Sequence, residues 1–146
     1  MKLILTTASV ALGLLLTTGI TGCGKKSDPG PKKIRVAYMG NAIAPFWTIA
    51  EKGARRAAAD LGVEVDVRMP QNGAADQKRM VEELLARGVD GIAFSPADPA
   101  NQLDVMKQIA AQTNLITQDS DAPDSPRLCF VGMDNYQAGR PSAAGW

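Results

Sequence analysis

Met80-Val81-Glu82-Glu83-Leu84-Leu85-Ala86-Arg87-Gly88-Val89-Asp90-Gly91-Ile92-Ala93-Phe94-Ser95-Pro96 holds a helix, its stop, a strand and the loop that ends the strand. Met80, Val81, Leu84 and Leu85 recur at the three-and-four spacing of a helix that buries one face. Arg87-Gly88 is a C-terminal stop, because glycine takes the left-handed conformation that closes a helix. Gly91 to Phe94 is apolar without a break, which predicts a strand buried on both faces. A helix that feeds such a strand so closely is half of a βαβ unit.

The same alternation extends in both directions. Ile34 to Met39 predicts a first strand, ended by Gly40. A helix follows from about Pro45, where the missing N–H of proline costs nothing. Its apolar stripe is Phe46, Ile49, Ala50, Gly53, Ala54, Ala57 and Leu61, with Glu51, Lys52, Arg55 and Arg56 on the wet face and Gly62 as the stop. Val63, Val65 and Val67 alternate with Glu64, Asp66 and Arg68, as in a strand near the edge of a sheet. Downstream, Asp98-Pro99 is read as the N-cap and first residue of a helix that buries Leu103, Met106, Ile109 and Ala110. Leu115 to Thr117 and Leu128 to Val131 predict strands four and five, with Cys129 as a small apolar filler of a buried strand. Strands regularly separated by helices imply a parallel sheet. The fold class is α/β, a doubly wound three-layer parallel sheet.

The chain opens on Met1-Lys2 and a short apolar stretch, Leu3 to Leu16, then closes that segment with Ile20-Thr21-Gly22-Cys23. A basic start, an apolar core and small residues ahead of a cut site make a secretory signal over residues 1–22. The stretch is too short and too interrupted by Thr and Gly to span a bilayer comfortably. Residues 23–33 are a polar tether rich in Gly, Pro and Lys, with no hydrophobic period. Everything beyond it is then expected outside the cytoplasm, in the cell envelope.

Composition removes several classes of function. Sixteen basic residues face fifteen acidic ones, and histidine is absent. Without a basic stripe the chain is not expected to hold nucleic acid. Without histidine, most catalytic triads and all histidine-ligated metal sites are closed to it. No glycine-rich phosphate loop follows the first strand. The chain is therefore read as no enzyme, with no cofactor and no metal.

In an open parallel sheet, ligands meet the loops at the carboxyl ends of the strands. After strand one, Gly40-Asn41-Ala42-Ile43-Ala44-Pro45-Phe46-Trp47 offers two aromatics at a helix start. Phe46 lies on the core stripe, whereas Trp47 falls off it and so is free to present a flat apolar platform to a ligand. Met69-Pro70-Gln71-Asn72-Gly73 reads as a plain turn with a helix cap. Ser95-Pro96-Ala97-Asp98 can point the Ser95 hydroxyl into the crevice. Gln118-Asp119-Ser120-Asp121 places carboxylates and a hydroxyl straight after a strand, where one carboxylate can accept from two neighbouring hydroxyls of a polyol.

Four motifs recur together in order: Ala-Pro-Phe-Trp, Gly-Val-Asp-Gly-Ile-Ala-Phe-Ser-Pro-Ala-Asp, Thr-Gln-Asp-Ser-Asp-Ala-Pro, and Val-Gly-Met-Asp-Asn-Tyr-Gln-Ala-Gly-Arg. They resemble the periplasmic sugar-binding proteins of the ribose/galactose type, which share a core with LacI-type repressors. The resemblance runs from about Ile34 to Arg140 and implies the N-terminal lobe, residues 34–140, of a two-lobed sugar binder. It implies that Phe46 and Trp47 stack on the sugar, that Asn41 and Ser95 contact it, and that Asp119 grips its hydroxyls. Ser120 stands where some members carry a basic ligand. Asp134 and Asn135 lie toward the hinge. The closed form would dock on an ABC permease of the inner membrane. Ile20 to Cys23 likewise resembles the lipobox of bacterial lipoproteins, which implies lipid on Cys23 and a membrane anchor. A secreted sugar-sensing partner of a membrane receptor is the alternative, as is a non-functional gene fragment. Residues 141–146 fit poorly as the continuation of a helix opening near Asn135, because Pro141 removes a hydrogen bond and clashes with the preceding turn. The expectation is a frame-shifted or incomplete gene near codon 140, lacking a second lobe, which sequencing of the locus would decide.

Overall fold

The computed structural model describes residues 32–143. The chain alternates β1 (Arg35–Met39), α1 (Pro45–Leu61), β2 (Glu64–Arg68), α2 (Gly73–Ala86), β3 (Gly91–Phe94), α3 (Leu103–Ala110), β4 (Asn114–Gln118), β5 (Phe130–Val131) and α4 (Asn135–Ala143). All strand pairs are parallel, in the order β2-β1-β3-β4-β5. β2 sits at the edge, as its alternating sequence implies, with Glu64, Asp66 and Arg68 along a strand whose outer side has no neighbour. The order reverses between β1 and β3, so the loops that leave these two strands diverge and open a crevice.

The main core lies between the sheet and the pair α2 and α3. Ala37, Met39, Ile92, Phe94 and Leu115 point from the strands to meet Val81 and Leu84 of α2 and Val105, Met106 and Ile109 of α3. Apart from Ala37, side chains of this size contribute about 1.5–3 kcal/mol each when fully buried. The opposite face is thinner. There α1 covers Val36, Tyr38 and Val65, but a cavity of about 280 Å³ remains among Ala54, Ala57, Leu61, Ala93 and Ile116. β3 is accordingly sealed on one face by Ile92 and Phe94, while Gly91 and Ala93 are only half-buried. Full burial on both faces is not observed.

Four other expectations are corrected. The face of α1 that meets the sheet carries Trp47 and Ala58, the helix's two buried residues, whereas Phe46, Ile49 and Leu61 are exposed. α3 begins at Leu103 and not at Pro99. The Asp98 carboxylate instead closes a turn by accepting from Asn101 N and Nδ2, and Gln102 flanks the helix. β5 is two residues long, and Leu128 and Cys129 are exposed, so the cysteine fills no core. Finally, α4 runs through Pro141 to Ala143. Pro141 deletes one ladder donor, and its would-be partner, the carbonyl of Gln137, belongs to an exposed residue open to water.

Gly62 ends α1 with φ of 67°, and its N–H donates to the carbonyls of Ala58 and Ala59. This is the closing geometry that its position in the sequence implies.

Candidate functional site

The carboxyl ends of β1, β3 and β4 are joined by one chain of side-chain hydrogen bonds. Trp47 donates from Nε1 to Asn41 Oδ1 at 3.0 Å. Asn41 donates from Nδ2 to Ser95 Oγ at 3.2 Å, and Ser95 Oγ donates to Asp119 Oδ2 at 3.4 Å. Three loops distant in sequence thus converge on one carboxylate. Beneath them Tyr38 donates its hydroxyl to Gln118 Oε1, and Gln118 Nε2 donates to the carbonyl of Met39. Burial, and secondarily the charge of Asp119, push the Tyr38 phenol above its ordinary range. Tyr38 therefore stays neutral and keeps donating at any physiological pH.

Asp119 is exposed and holds φ of 60°, the only non-glycine residue at positive φ among the described ones. Ser120 N donates back to Gln118 O at 2.7 Å, which bends the chain through a tight three-residue turn centred on Asp119. Asp119 N is held by Val131 O on β5. Aspartate tolerates the left-handed region better than most residues, and such strain gathers at functional sites. The carboxylate next along, Asp121, is differently placed. It accepts two bonds from Arg127 and one from the Thr117 hydroxyl, and Arg127 above all holds its pKa down at about 2. Asp121 is committed to the loop, which leaves Asp119 as the open carboxylate.

The two aromatics exchange the roles that the sequence suggests. Trp47 is 3% exposed, packed at 6.2 Å from the Tyr38 ring, so it is no platform. A Cβ on Gly40 would lie 2.9 Å from its indole, which shows how closely the loop wraps it. Phe46 is 57% exposed and meets Trp47 edge-on at 5.0 Å between centroids. With Gln118, Asp119, Val131, Gly132, Met133 and Asn135 it lines a cavity of about 270 Å³. Ser95 is fully buried, so its hydroxyl orients Asp119 and does not point into the crevice. Ser120 is half-buried and lies outside this lining. Asp134 accepts from Gln137 N at the start of α4, and Asn135 opens that helix and reaches the cavity wall. Gln118 and Met133 are lining residues that sequence reasoning missed. Gln118 had no signal beyond its place at a strand end. Cys23 lies outside the described residues.

An open carboxylate, two amides and an exposed aromatic face around a small cavity suit a neutral polyol: the acceptors take hydroxyls, and the ring covers C–H groups. A larger cavity of about 380 Å³ at the β2 edge is lined by Arg35, Arg55, Glu64, Asp66, Arg68 and Arg87. Its charges satisfy one another, with Asp66 bound by both Arg68 and Arg87, and it lies away from the strand ends. Among the described residues no three His, Cys, Asp or Glu side chains gather to hold a metal ion.

Comparison with known proteins agrees with this fold. A family model described as the periplasmic binding protein domain matches residues 36–144. The ribose import binding protein of Bacillus subtilis is 29% identical over 126 residues, covering 82% of this chain and 40% of that protein. An ABC transporter solute-binding protein from Burkholderia graminis, solved with D-arabinose, superposes with a TM-score of 0.72 and 37% identity, over 76% of this chain and 39% of that one. A glucose-galactose binding protein from Geobacillus stearothermophilus gives 0.71 and 30%, over 78% and 43%. The chain thus spans about two fifths of the length of these relatives.

Proposed function

The chain belongs to the periplasmic binding protein domain family, and on that premise we propose that it binds a monosaccharide or similar polyol at the carboxyl ends of β1, β3 and β4, as a substrate-binding lipoprotein of a sugar ABC import system. The observation that carries this reading is the hydrogen-bonded chain from Asn41 through Ser95 to Asp119, which ends on an exposed carboxylate beside the exposed ring of Phe46. Two solved relatives carry D-arabinose, and the curated relative is named for ribose import. Pentoses are therefore the first ligands to try. Residues 34–140 are taken as the N-terminal lobe of the binder, and an ABC permease of the inner membrane as its partner.

One wall of a site leaves water in competition for each contact, at a net gain near 1 kcal/mol apiece. Three or four such contacts correspond to millimolar affinity or weaker. Calorimetry of the chain against D-ribose and D-arabinose is expected to show binding in that range, weakened about tenfold by Asp119→Ala. No heat at high sugar concentration, or an unchanged affinity in that variant, would remove the proposal. Lipid on Cys23 is part of the same reading, and Cys23→Ala is expected to leave the membrane fraction. Retention of that variant would contradict the anchor.

A further inference from the structure

We propose that Gln77, in the second turn of α2, is the positioning residue of the sugar site, an inference that rests on the reading of Asn41, Ser95 and Asp119 as that site. Gln77 is fully buried and touches none of the cavity's lining residues through a hydrogen bond. Its Nε2 donates to the carbonyl of Gly40 at 2.8 Å and to that of Ser95 at 2.7 Å. Its Oε1 accepts from Ala97 N and from Gln102 Nε2, both at 3.0 Å. An amide offers two donors and two acceptor positions, and all four are used. The orientation of the amide is fixed, because the two carbonyls can only accept and the Ala97 N–H can only donate.

Gly40 follows β1 and Ser95 follows β3, so this one side chain bridges the point where the strand order reverses. The residue after Gly40 is Asn41, which receives the Trp47 indole N–H. The Ser95 hydroxyl in turn donates to Asp119. Both arms of the site thus rest on backbone that Gln77 holds. Gln102, itself buried, extends the clamp by accepting from Asp98 N, which ties down the loop beyond Ser95. A buried amide is a costly choice where Met or Leu would fill the space, and a fully satisfied one specifies geometry.

The experiment uses Trp47 as the reporter in a Trp146→Phe background, since the chain has two tryptophans. Gln77→Met keeps the bulk and strips the four bonds. Gln77→Glu keeps the two acceptor bonds but turns a carboxylate toward two carbonyls. Leu84→Ala, a core truncation on the same helix, is the control for destabilisation alone. Both Gln77 variants are expected to raise acrylamide quenching of Trp47 and shift its emission to the red, while Leu84→Ala leaves the folded protein's Trp47 signal unchanged. Affinity for D-ribose or D-arabinose is expected to fall about tenfold in the Gln77 variants, with none lost in the control. Quenching in the Gln77 variants no greater than in Leu84→Ala would overturn the inference, as would failure of both to fold, which would make Gln77 a determinant of the fold and not of the site. If the unsubstituted chain binds neither sugar, the functional reading fails, and the quenching comparison still judges the positioning role.

Discussion

The indole of Trp47 is enclosed by Tyr38, Phe46 and Gly40, and its N–H is bound by Asn41. Truncating it opens a cavity and leaves the Asn41 acceptor without its donor, so Trp47→Ala is expected to cost about 3–5 kcal/mol. Phe46 is more than half exposed, and Phe46→Ala is expected to change stability by only about 0.5 kcal/mol. Its effect should fall on sugar binding, since its open face borders the cavity beside Asp119. Urea unfolding of the two variants separates these outcomes, and a larger loss for Phe46→Ala than for Trp47→Ala would reverse the assignment. At this scale Asp119 was legible as a carboxylate straight after a strand. Its positive φ was not, because it belongs to a turn closed by Ser120 N on Gln118 O and held by the Asp119 N–H on Val131 O of β5.

Elements were legible where one face was decisive. α2 carries Val81 and Leu84 at helical spacing against the crowded side of the sheet, and both are buried as that spacing requires. α1 has two adjacent apolar lines built largely of Ala and Gly. Periodicity cannot rank a line through Phe46, Ile49 and Leu61 above one through Trp47 and Ala58. The sheet selects the second because the Trp47 indole fits beneath the β1 loop and bonds Asn41. α3 starts later than Asp98-Pro99 implies because Asp98 finds nearer partners in Asn101, and a local cap competes with helix entry. In β5 only Phe130 and Val131 stand in register with Thr117 and Gln118 of β4, although Leu128 N already donates to Leu115 O and Cys129 O accepts from Thr117 N. The apolar run Leu128 to Val131 gives no hint of that limit.

Across the described residues, the parallel order β2-β1-β3-β4-β5 opens a crevice at the carboxyl ends of β1 and β3 before any side chain is considered. The loops of β1, β3 and β4 must meet at one end of the sheet, and the motifs after each strand supply an amide, a hydroxyl and a carboxylate. Two other cavities compete for a ligand: the apolar one beneath α1 and the charged one at the β2 edge. A polyol in the first would bury hydroxyls without partners, at about 1–3 kcal/mol for each. In the second it would have to displace guanidinium–carboxylate pairs. The most direct measurement is therefore an NMR titration of the isotope-labelled chain with D-ribose and D-arabinose, followed at every backbone amide. Shifts concentrated at Phe46, Asp119, Gly132 and Asn135 are the predicted result; shifts centred on Ala57, Leu61 and Ile116, or on Glu64 to Arg68, would contradict the account.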